Sequence, residues 1–105
     1  MTASLQHEIE AAYERRQDIK PGQGGAIASA VDSALALLDS GRARVAGKKN
    51  GTWIVNDWLK KAILLSFRLN ENRLIGQAEP GPWWDKVTPK FSGWTADAFR
   101  SAGFR

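Results

Sequence analysis

The sequence predicts an α+β domain that is mainly helical, with three to four helices and one β-hairpin. Three observations carry this. Apolar residues recur at helical spacing in three separate stretches, an Asn50-Gly51 pair sits between β-prone segments, and proline or glycine interrupts the pattern between them.

The first helix is expected over residues 5 to 16. At about 100° per residue, Leu5, Ile9, Ala12, Tyr13 and Arg16 share one side while Glu8, Glu10, Glu14 and Arg15 lie elsewhere, and Ser4 is positioned as N-cap. Pro21 and the following glycines in PGQGG oppose helical continuation. A second helix follows from about Ala26 to Leu38, with Ile27, Val31, Ala34, Leu35 and Leu38 on one face and Gly41 marking its end. In VAGKKNGTWIV, Asn50-Gly51 supplies the positive φ angles of a two-residue hairpin turn. The same NGT matches a glycosylation acceptor, but the turn explains it fully.

The segment WLKKAILLSFR (58 to 68) reads as the central core helix, capped by Asn56 or Asp57 and running to about Leu69. Trp58, Leu59, Ala62, Ile63, Leu65 and Phe67 cover an arc of roughly 200°, and Asp57, Lys60, Lys61 and Arg68 share the remaining stripe. Leu64 falls within that charged stripe and is expected to pack against another segment, domain or subunit. Beyond Asn70, NRLIGQAE can hold a short strand. PGPWWDKVTPKF is expected to be irregular, because proline restricts the backbone against helix and central strand. A last short helix from Thr95 to about Arg100, capped by Thr95, leads into Gly103-Phe104-Arg105.

At 105 residues and 11.6 kDa the chain is sized for one domain over 1 to 105. Its 43% hydrophobic and 25% charged residues are those of a globular protein. No apolar run approaches the roughly 20 residues of a membrane span, and MTASLQHEIEAAYERR lacks the layout of a secretory signal, so a cytoplasmic protein without membrane partner is expected. The absence of cysteine excludes disulfides, thiolate nucleophiles and thiolate metal sites. His7 is the single histidine, and nothing at helical spacing completes a metal site or a triad around it. It is expected to be a partly exposed helix residue.

The net charge of +4 and pI near 9.8 invite a nucleic-acid reading. The basic residues are nevertheless spread along the chain among eleven acids, without a block. A small basic three-helix module with a hairpin would share the parts of a winged helix, yet a reader helix must offer polar side chains to base edges. Residues 58 to 68 spend most of their circumference on packing. Trp83, Trp84 and Trp94 could form a stacking platform for single strands, against the plainer reading that they cover a small core. Gly22, Gly24 and Gly25 before a helix have the setting of a phosphate loop without its motif. Glu8, Glu10 and Asp39 fall where solvated helix edges and caps are expected.

The strings IEAAYERR (9 to 16), ALLDSG (36 to 41), RVA and NGTW (44 to 53), WLKKAILLSFR, WWDKV (83 to 87), KF (90 to 91) and AGFR (102 to 105) resemble the N-terminal region of the tetrahydrodipicolinate N-succinyltransferases. The resemblance covers almost the whole chain in order. It implies a bacterial cytoplasmic enzyme of the diaminopimelate branch of lysine biosynthesis, moving succinyl from succinyl-CoA, a co-substrate and not a tightly bound cofactor, to a small dicarboxylate. It further implies a homotrimer of left-handed β-helices preceded by a helical domain, with no nucleic-acid partner. The hexapeptide repeats of that β-helix are absent from these residues, so no catalytic residue is expected in this chain, and none of its residues is assigned to CoA. One position carries over: the arginine of the G-F-R segment, here Arg105, which the resemblance assigns to an acidic substrate. A guanidinium suits that role because it grips a carboxylate through two parallel hydrogen bonds.

Overall fold

The computed structural model describes residues 2–76 and 81–105, and the expected class holds: four α-helices with two small antiparallel sheets. The chain divides into two compact units, Met1–Glu71 and Asn72–Arg105. Gln77, Ala78 and Glu79, the end of the NRLIGQAE segment, lie outside the described residues, as does Pro80.

In the first unit, α1 (Thr2–Glu14), α2 (Gly25–Asp39) and α3 (Asp57–Leu69) each pack on the other two. Their shared core is Ile9, Ala12, Ile19, Ala30, Val31, Ala34, Trp58, Leu59, Ala62, Leu65 and Leu69, and among the described residues it contains no polar or charged side chain. Ala12, Ala30, Ala34 and Ala62 keep the facing surfaces shallow, which lets helix axes approach closely while the larger side chains fill the space between.

Ser4 does not cap α1, because nothing at Thr2 or Ala3 opposes a helix and the element begins ahead of it. Its other end comes earlier than expected. After Glu14 the chain tightens into a 3-10 turn over Arg16–Asp18, with Asp18 N–H on the Arg15 carbonyl (2.9 Å) and Ile19 N–H on that of Arg16 (3.2 Å). The turn delivers Ile19 to the core. Arg16 stays beside α1, its guanidinium 4.3 Å from the Tyr13 ring centroid and bonded to the Tyr13 carbonyl (2.9 Å).

Residues β1 (Ala46–Lys49) and β2 (Thr52–Val55) form the expected hairpin, with Lys48 opposite Trp53 and Lys49 opposite Thr52. Asn50 (φ 52°) and Gly51 (φ 79°) both adopt the left-handed region that a two-residue turn of this twist requires. Asn56 is the N-cap of α3 by position, but its side chain does not cap. It donates instead to the Arg44 carbonyl (2.7 Å) while its N–H bonds that of Val45 (2.7 Å), which closes the open end of the hairpin onto the start of α3.

Within α3 the apolar arc is narrower than expected. Trp58 (6% exposed), Leu59, Ala62, Leu65 and Leu69 are buried and Ile63 is half-buried, whereas Phe67 is exposed. Phe67 sits beside Arg68 on the flank and is 41% exposed, so it is only partly covered. Leu64 is 39% exposed, so the first unit does not cover it fully.

The second unit contains a ladder that the proline argument did not anticipate. The strand foreseen near residue 74, β3 (Arg73–Ile75), pairs with β4 (Trp83–Asp85) in the register Arg73 to Asp85, Leu74 to Trp84 and Ile75 to Trp83. Pro82 precedes β4 and the sheet has only two strands, so the proline removes no ladder hydrogen bond. The final helix, α4 (Ala96–Ser101), starts at Thr95, whose hydroxyl accepts from Ala98 N–H (3.1 Å).

Candidate functional site

The residue assigned to substrate, Arg105, follows directly on the C-terminal closure of α4. Phe91, Trp94, Phe99 and Phe104 gather there, every pair of rings lying between 4.8 and 6.0 Å centroid to centroid. The closest pairs, Phe91 with Trp94 and Phe91 with Phe104, meet edge to face, the arrangement favoured by the ring quadrupoles. Phe99 is half-buried and the other three rings keep an exposed edge, so this is a shallow cluster on a small unit. Four aromatic rings replace the aliphatic core that 34 residues cannot build.

Helix α4 ends at Ser101 with Ala102 as its C-cap, and three successive amides are satisfied in turn. Ala102 N–H donates to the Ala98 carbonyl (3.0 Å), Gly103 N–H to that of Arg100 (3.1 Å) and Phe104 N–H to that of Phe99 (3.1 Å). Gly103 has φ +81°, the left-handed geometry of a helix C′ residue. Arg105 itself is exposed, and among the described residues its guanidinium has no ion-pair or hydrogen-bond partner. Nearby Arg100 is engaged with Asp97 at 2.7 Å.

The other candidate groups do not converge on this point. His7 is exposed on α1 and, with Glu8, Ala11, Arg15, Ala26, Ile27 and Ala30, borders a shallow cavity of about 220 Å³ between α1 and α2. Glu10 accepts from Gln6 Nε2 (3.2 Å) along the same helix. Among the described residues no three His, Asp or Glu side chains gather as a metal site would require. In the glycine loop, Gly22 N–H is bonded to the Leu69 carbonyl at the end of α3 (2.8 Å) and Gln23 Oε1 accepts from Lys20 N–H (2.7 Å). Those groups fasten the loop to the helices.

The expectation that Trp83 and Trp84 cover a core is corrected: they are 53% and 68% exposed. As neighbours on one strand they project to opposite faces of the sheet, so they do not make one stacking surface either. Trp94 belongs to the aromatic cluster. What sequence reasoning missed is the cluster itself. Its members stand at intervals of three, five and five residues, which match neither a helix nor a strand period, although two of them lie in the KF and AGFR strings.

Residues 4–69 match the family described as tetrahydrodipicolinate N-succinyltransferase N-terminal. The chain is 55% identical over 98% of its length to the 2,3,4,5-tetrahydropyridine-2,6-dicarboxylate N-succinyltransferase of Caulobacter vibrioides, of which it spans 39%. The proteins of the same description from Methylorubrum populi and Sinorhizobium medicae are 57% and 54% identical over 98% of this chain, which covers 37% of each. The chain therefore spans less than two-fifths of the length of these relatives.

Proposed function

Because the chain belongs to the tetrahydrodipicolinate N-succinyltransferase N-terminal family, we propose that it serves as the N-terminal part of an enzyme that transfers succinyl from succinyl-CoA to the amino group of the ring-opened dicarboxylate. The observation that carries this is 55% identity along 98% of the chain to a relative named as a 2,3,4,5-tetrahydropyridine-2,6-dicarboxylate N-succinyltransferase. The amine nitrogen attacks the thioester carbonyl, the carbon–sulfur bond breaks, CoA leaves as the thiol, and the product is the N-succinyl-2-amino-6-oxopimelate amide. In this reading the reacting groups are supplied beyond these 105 residues, by a trimeric β-helix in the cytoplasm, and catalysis is chiefly positioning of amine against thioester. The isolated chain is inactive.

Arg105 takes one carboxylate of the dicarboxylate as a two-pronged, charge-assisted contact. What supports that role is the G-F-R resemblance together with the planar fork of guanidinium donors, which matches a carboxylate. The burial of Trp58, Leu59, Ala62, Leu65 and Leu69 on α3 weighs against the nucleic-acid alternative that the net positive charge invites. The test is Arg105→Ala in the full-length enzyme. Losing hydrogen bonds to a charged group, about 1.5–3 kcal/mol, should raise KM for the dicarboxylate roughly ten- to a hundredfold and leave KM for succinyl-CoA unaltered. An unchanged KM for the dicarboxylate removes the contact.

A further inference from the structure

A guanidinium that must meet a carboxylate along two parallel bonds depends on where its own backbone is held, and freedom there lowers affinity in proportion to the time spent elsewhere. We propose that Gly103 and Phe104 are positioning residues for Arg105, fixing the backbone from which the arginine reaches the substrate. This rests on Arg105 being the carboxylate ligand.

The bonds from Gly103 N–H to the Arg100 carbonyl and from Phe104 N–H to that of Phe99 are the paired closure of a Schellman motif. The hydrophobic contact that accompanies such a closure is present too: the rings of Phe104 and Phe99 are 5.1 Å apart. Phe104 is further held by Phe91 at 4.9 Å and Trp94 at 5.9 Å. The residue before Arg105 is thus anchored through its amide and through its ring, and the rings in turn tie α4 to the segment carrying Phe91 and Trp94. The backbone is thus fastened up to the residue that immediately precedes the arginine.

Gly103 offers a clean perturbation, because a Cβ added there meets no heavy atom within 4 Å. A Cβ alone therefore adds no clash within this chain, and the principal local effect of a substitution is strain at φ +81°. In the full-length enzyme Gly103→Val should raise KM for the dicarboxylate roughly five- to thirtyfold, with KM for succinyl-CoA unchanged and amide exchange at Phe104 accelerated. Gly103→Asn, which tolerates the left-handed region, should restore both readings to near the parent values. A loss of general stability would lower Vmax through the amount of active enzyme and leave both KM values unchanged, and that pattern refutes positioning. If Arg105→Ala raises KM but Gly103→Val does not, the arginine contact stands and the positioning role falls. Unaltered exchange at Phe104 in the valine variant also overturns it. If Arg105→Ala has no effect, the contact and the positioning role fall together.

Discussion

Leu64 and Leu65 are chemically identical neighbours on α3, and packing separates them: Leu65 is 0% exposed and Leu64 39%. Replacing Leu65 with alanine removes three buried carbons, worth about 2.4 kcal/mol in transfer free energy. The vacated space adds to this, because Ile9, Val31 and Leu59 around the core are themselves fully buried and held on three different helices. The total should be about 3–5 kcal/mol, a large part of the 5–15 kcal/mol that holds a typical domain folded. At Leu64 the same three carbons are only partly covered and no closed cavity forms, so the loss should not exceed about 1.5 kcal/mol. Urea unfolding of the 105-residue chain, followed by helical circular dichroism and by the fluorescence change that accompanies exposure of Trp58, measures both. The midpoint should fall much further for Leu65→Ala than for Leu64→Ala, with unchanged slopes. Equal losses, or a greater one at Leu64, would refute the orientation of α3 and with it the helical core.

Two other outcomes probe the turns and caps. Thr95→Ala removes the acceptor of Ala98 N–H and should cost about 1 kcal/mol, seen as faster amide exchange at Ala98 with the amides of α3 unaffected; unchanged exchange would show that the cap is idle. Gly51→Val forces a β-branched residue to φ 79° and should cost about 1–2 kcal/mol or more locally, erasing the cross-strand proton contacts between Lys48 and Trp53. Asn50→Gly should keep them, and their survival in Gly51→Val would contradict the turn geometry.

The first unit was legible because its determinants are local and periodic. Ile9 and Ala12, Val31 and Ala34, and Leu59, Ala62 and Leu65 announce buried faces by spacing alone, and Asn50-Gly51 announces its turn. Width was harder to read. Counting apolar residues placed Phe67 inside, but only contacts with α1 and α2 decide which edge of an apolar arc is covered. The β3–β4 ladder is three residues deep and has no room to display alternation, while Pro82 pointed away from a strand. The aromatic cluster joins residues of irregular spacing and exists only once α4 has formed. Arg105 carries no signal in periodicity or charge pattern; it was assigned through resemblance, and its brace emerged from the hydrogen bonds of Gly103 and Phe104.

With no ionisable or polar side chain among its described core residues, the three-helix unit has nothing inside to titrate. Acid can therefore act on it only from without, by discharging the carboxylates that offset the unit's ten lysines and arginines and letting the surface cations repel one another. Such repulsion is long-ranged and screened by salt, so ionic strength, more than the fate of any single buried proton, governs how far into acid this scaffold keeps its shape.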